Sequence, residues 1–144
     1  MEESVSGCNE KGAEEMTPQT EFLNILCDTV EKGCNLSYKI SLRELSEKNG
    51  LYAELGEGFS DTQYYDKSAV RTMPVLFLCR DTDQKRGMEE LCKICNYLQK
   101  LKKYPTGESF SWLDTKTVKE PNKIGRDEDG TYHFSCIINC QIYF

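Results

Sequence analysis

From Thr131 to Phe144, the residues Tyr132, Phe134, Cys136, Ile138, Cys140, Ile142 and Phe144 occupy every second position without interruption. A period of two is that of an extended strand with one face turned to a core; a helix would scatter these side chains around its circumference. The opposite face, Thr131, His133, Ser135, Ile137, Asn139, Gln141 and Tyr143, starts polar and becomes mixed. A strand this long exceeds the usual five or six residues. It commits the chain to a sheet and suggests that part of the strand serves contacts beyond its own domain. The preceding Asp127-Glu-Asp-Gly130 has turn chemistry, and Ser109 to Lys119 can extend, so a long C-terminal β-hairpin is expected.

Upstream, Phe22, Ile25, Leu26 and Val30 recur at helical spacing between Pro18 and Lys32. Thr17 stands as the cap, Pro18 at the first position and Gly33 as the stop. Leu36, Tyr38, Ile40 and Leu42 alternate with polar residues and read as a half-buried strand, with a helical turn possible near Arg43–Lys48. After Asn49-Gly50, Leu51, Ala53 and Leu55 alternate again, and Gln63–Lys67 is a further extended candidate. Pro74-Val-Leu-Phe-Leu-Cys79 is a continuous apolar run, the pattern of a strand buried on both faces. A second helix follows. Asp81 and Gln84 stand at capping-box spacing, and Met88, Leu91, Cys92, Cys95, Leu98 and Leu101 or Lys102 trace its apolar stripe up to Pro105. The expected fold is therefore α+β: a single domain with a mainly antiparallel sheet, two main helices packed on one face, and the C-terminal hairpin.

At 144 residues and 16.6 kDa, one core suffices without disulfides or metals. Residues 1–15 hold too little apolar side chain to bury and are expected to be a disordered or non-native extension, with 16–144 as the single domain. Met16, just before the Thr17 cap, is then a second candidate start. No apolar run approaches the length needed to span a bilayer, and the first residues lack the basic start and apolar stretch of an export signal. A reducing cytoplasm is the expected compartment, so the eight cysteines are expected as thiols. The net charge of −6 argues against a phosphate-binding surface, although five glutamates against one lysine in residues 1–15 place much of it outside the domain.

Candidate chemistry is weak throughout. Cys92-Lys-Ile-Cys95 has the spacing of half a zinc site or a redox pair, yet it falls on the apolar stripe of the second helix, where buried reduced thiols are the simpler reading. Cys136 and Cys140 share the core face of the closing strand. His133 is the sole histidine and has only Ser135 beside it on the strand, with no turn to present a nucleophile. Gly56-Glu-Gly58 lacks the third glycine of a dinucleotide loop, and Asp81-x-Asp83 fails as a calcium loop at Lys85. No catalytic, cofactor or metal residue is expected. Trp112 and the pair Tyr64-Tyr65 are core or interface aromatics, and Asp127, Glu128 and Asp129 form a solvated turn.

Met73-Pro-Val-Leu-Phe-Leu78, Glu90-Leu-Cys-Lys-Ile-Cys-Asn-Tyr-Leu98, Ser111-Trp-Leu-Asp-Thr115, Glu120-Pro-Asn-Lys-Ile-Gly-Arg126 and the strand ending Ile142-Tyr-Phe144 together resemble the small "minor capsid" proteins of tailed bacteriophages. Those proteins look like tail terminator, or tail-to-head joining, proteins. The likeness runs from about Met16 to Phe144 and brings no ligand residues. It implies a structural virion protein, assembled in the host cytoplasm. It would form a homo-oligomeric, hexameric ring on the head-proximal end of the tail tube, halt tube polymerisation and meet the connector or neck. DNA would pass through the lumen without specific binding. Subunit or lumen contacts are then expected among Tyr64, Tyr65, Trp112, Asp127, Glu128 and Asp129, and channel-facing charge among Glu54, Glu57 and Asp61 as well. A head-completion or stopper protein, a phage-derived bacteriocin tail and, from another class, a metal- or redox-active protein using Cys92 and Cys95 are the competing readings.

Overall fold

The computed structural model describes residues 16–43 and 49–144. The first helix, α1 (Pro18–Gly33), starts as its sequence predicts: Thr17 Oγ1 accepts from the Thr20 amide at 3.3 Å, and Pro18 fills a position whose N–H would have no partner. Its buried face is Phe22, Leu26, Cys27 and Val30. Gly33 closes the helix for a different reason from a left-handed stop. The ring of Tyr97 lies where a Cβ would stand, 2.1 Å from the nearest ring atom, so only glycine lets the second helix come this close.

The strands are β1 (Ile40–Ser41), β2 (Gly50–Leu55), β3 (Phe59–Gln63), β4 (Ala69–Asp81), β5 (Ser111–Arg126) and β6 (Tyr132–Tyr143). They form a six-stranded sheet of order β1-β2-β4-β6-β5, with β3 paired to β4 beyond the end of β2. Among the described strands, only β1 and β2 run parallel. The second helix, α2 (Gln84–Gln99), crosses from β4 to β5, and both helices share a core with one face of the sheet. That core joins Phe22, Leu26 and Val30 to Leu91, Ile94 and Leu98, and to the inward rows of β4 (Val75, Phe77, Cys79) and β6 (Phe134, Cys136, Ile138, Cys140, Ile142). The unbroken alternation of the closing strand is therefore the floor of the core, with Tyr132 and Phe144 packed at its two ends. The α+β fold, the two helices on one face and the C-terminal hairpin are as expected.

Four local expectations are corrected. The stretch Leu36–Leu42 is mostly loop, reduced to the two residues of β1. Its backbone amides go to side chains instead of a neighbouring strand: Ser37 N–H to Glu90 Oε1 at 2.8 Å and Ile40 N–H to Glu31 Oε2 at 2.7 Å. The extended segment sought at Gln63–Lys67 lies earlier, as β3, and Tyr64–Ser68 is a turn in which Lys67 takes φ 77°. The cap of α2 is Asp83, not Asp81. Asp83 accepts from the Lys85 and Arg86 amides, while buried Asp81 takes a two-point ion pair from Arg86 at 2.7 and 2.9 Å. The stripe of α2 includes Ile94 and Glu90 and leaves Cys92 half-buried. The extension 1–15 and residues 44–48 of the helical turn expected near Arg43–Lys48 lie outside the described residues.

Pro74 sits inside β4, where a missing N–H would normally break the ladder. Its carbonyl accepts from Gly56 at 2.7 Å, so its nitrogen faces the gap between β2, which ends opposite Val75, and β3, which starts opposite Thr72. The proline thus separates the stretch of β4 paired with β2 from the β3–β4 arm beyond it.

Candidate assembly surfaces

The arm and the β5 edge lie on opposite sides of the sheet, because β4 and β6 separate β3 from β5. At the arm, Phe59, Tyr64 and Tyr65 are all exposed, Tyr65 completely. The arm is nevertheless tethered. Tyr64 packs edge-on against Tyr143 at 5.9 Å, Ser68 Oγ shares a 2.9 Å hydrogen bond with the Tyr143 hydroxyl, and Ala69 and Phe144 exchange backbone hydrogen bonds. Arg71 lies 3.6 Å above the Phe144 ring and donates to the Phe144 carbonyl at 2.7 Å. Aromatic side chains in solvent on a fixed support are costly to expose and useful at a contact.

β5 is the outer strand on the opposite side, and four register shifts interrupt its pairing with β6. Three of them fall at Leu113, Val118 and Ile124, each an exposed apolar side chain. Between these stand Lys116, Lys119 and Lys123, with Arg126 at the end, against the two acids Asp114 and Glu120. A bulge twists an edge and breaks the row of free backbone groups that an added strand would need. What β5 offers a partner is therefore side chains.

The expected contact residues divide. Tyr64 and Tyr65 are on the arm surface. Trp112 is in the core, 4% exposed, edge-on to Phe22 at 5.3 Å and stacked on Tyr104 at 5.1 Å, with its indole N–H donating to Thr115 Oγ1 at 2.9 Å. It is not available as a surface contact in this fold. Asp127, Glu128 and Asp129 are exposed in the β5–β6 turn, at the end of the sheet away from the arm. The turn is ordered by its own hydrogen bonds: Asp129 accepts from the Thr131 amide, and Asp127 lies 2.9 Å from His133 Nε2. Glu54, bonded by the Tyr52 hydroxyl at 2.6 Å, and Glu57 belong to the arm end of the sheet. The acidic positions thus form two groups at the two ends of the sheet; Asp61 lies in β3.

Among the described residues the thiols are buried or half-buried. Burial pushes Cys27, Cys79 and Cys140 up to about 12, and Cys136 is pushed upward by its hydrogen bond to Cys95 and by burial. Cys34 and Cys92 are only half-buried, and burial raises both. Such thiols are poor nucleophiles at neutral pH. Among the described residues no three of His, Cys, Asp and Glu gather as a metal site, and no helix is long and apolar enough to cross a membrane. Glu21 sits at the mouth of a shallow hollow lined by Met16, Asn24, Asp28 and Ser109, but its carboxylate is engaged. Ser109 donates through its hydroxyl and amide and Glu108 through its amide, which holds the acid below its usual range and fastens the loop before β5 to α1.

A search of curated proteins finds no match. Residues 41–144, covering β2 to β6 and α2, match the family described as bacteriophage tail terminator protein. The chain belongs to the bacteriophage tail terminator protein family and is a structural component of a phage tail.

Proposed function

We propose that this chain closes the head-proximal end of a phage tail tube as a ring of identical subunits, hexameric in the simplest form, stopping tube polymerisation and presenting a surface to the connector or neck. The observation that carries the reading, beside the family, is that the sheet has two unlike outer surfaces on opposite sides, the aromatic β3–β4 arm and the apolar, net basic β5 edge. Unlike edges favour head-to-tail contacts, which close into rings when the rotation per subunit allows. Residues 16–144 act as the assembling unit, built in the host cytoplasm and carried in the virion, with DNA passing through the lumen without specific binding.

Electron microscopy of particles made without this chain tests the assignment. Tails of uncontrolled length are the expected result. Free tails of normal length beside leaking heads would overturn it in favour of a head-completion role.

A further inference from the structure

We propose that the β3–β4 arm of one subunit docks on the bulged β5 edge of the next, with Tyr64, Tyr65 and Phe59 set against Leu113, Val118 and Ile124. The inference rests on the ring reading and specifies its contact.

Both surfaces carry apolar side chains that their own chain leaves in water: Phe59 is 60% exposed and Tyr65 fully so, and Val118 and Ile124 are 57% and 58% exposed. Single exposed hydrophobics are unremarkable on a protein surface; a run of them on each of two opposite edges is the pattern of a contact. Charge supports the same pairing. The arm segment 57–68 carries Glu57, Asp61 and Asp66 against Lys67, a net of −2, whereas β5 carries Lys116, Lys119, Lys123 and Arg126 against Asp114 and Glu120, a net of +2. An acidic aromatic surface and a basic aliphatic one attract each other and repel a copy of themselves, which selects head-to-tail over two-fold pairing. The broken ladder of β5 also stops the contact from propagating as an open-ended sheet. The occupant of the β5 edge is therefore a second copy of this chain.

The test is cross-linking in assembled tails. The chain bearing Tyr65→Cys and Val118→Cys is incorporated into tails and treated with a flexible bis-maleimide, beside the parent chain with its native thiols and each single variant. The expected result is a ladder at successive multiples of the chain mass, requiring both new cysteines. Tails of normal length that give no adduct beyond the parent overturn the docking, as does a ladder that either single variant produces alone. A second measurement does not depend on the new thiols. Tyr65→Asp and Val118→Asp, each with parent-like circular dichroism, should each lower incorporation into tails by about tenfold or more; incorporation by both at the parent level overturns the proposal. Failure of the ring reading looks different, since tails lacking the chain would then keep their normal length.

Discussion

β5 and β6 are the two arms of one hairpin and follow opposite rules. β6 pairs with β4 without a register break and alternates buried and half-buried residues along most of its length. β5 pairs with the same β6 through four shifts and keeps only Trp112 buried. A strand flanked on both sides and roofed by helices has its sequence dictated by the core; an outer strand is free to answer to something else. The sharpest way to break the comparison is to place a carboxylate on each. Ile138→Asp puts an unpaired acid at a fully buried position beside Val75, a cost of several kcal/mol against the roughly 5–15 kcal/mol that holds a domain together. The expected outcome is a chain with no cooperative thermal transition by circular dichroism.

Next in size is the seam between β6 and α2. Gly87 faces the Phe134 ring, and a methyl group added at its Cα would stand 2.4 Å from the nearest ring carbon. In an exposed helix, Gly→Ala would gain up to about 1 kcal/mol. Here the ring is locked in the core, so overpacking should outweigh propensity and Gly87→Ala should destabilise by about 1–3 kcal/mol. Chemical denaturation would register a lower midpoint; a midpoint above the parent's would show that the β6 side of the core is looser than its burial indicates.

The same contrast explains which elements are legible in the sequence. β6 and both helices are readable because each has one side in the core, and burial writes periodicity into the chain; β4 is readable from its continuous apolar run, although only its Val75, Phe77 and Cys79 face is fully buried and Leu76 and Leu78 are half-buried. Leu36, Tyr38 and Ile40 carry a strand-like alternation and do pack against the core, yet Glu90 and Glu31 bind their backbone from other elements, a partnership that local pattern does not contain. Asp81 and Asp83 are both plausible caps on spacing alone; the Arg86 fork that claims Asp81 is visible only in three dimensions. β3 escapes the pattern because its described side chains are all exposed, leaving it no buried face to alternate. Of the candidate surface, Tyr64 and Tyr65 stand out in the sequence, while Leu113, Val118 and Ile124 do not. Their signal is the break in alternation along β5, recognisable once β6 supplies the register.

The turn joining the two strands should respond between these extremes. Gly130 takes φ +92°, which an L side chain adopts at a cost of about 1–2 kcal/mol, although a Cβ there would meet open space. Gly130→Ala should therefore lower stability by about that amount while leaving the fold intact. Its measure is the denaturation midpoint together with hydrogen exchange at the amide of Asp127, which donates to Thr131 across the turn. Unchanged stability would mean that the turn relaxes independently of the strands it joins.

The smallest effect is expected where the comparison is most informative. Val118→Asp introduces on β5 the same carboxylate that destroys the fold on β6. Val118 is already more than half exposed and sits at the shift between Thr117 and Lys119, where pairing with β6 is interrupted. An acid there keeps its water and gains Lys119 as a neighbour, so stability should change by no more than about 0.5 kcal/mol. A melting temperature within a few degrees of the parent would show that the valine contributes almost nothing to its own subunit. Destabilisation on the scale of Gly87→Ala would instead place Val118 among residues that support the hairpin, and the apolar row on β5 would be explained without a neighbour.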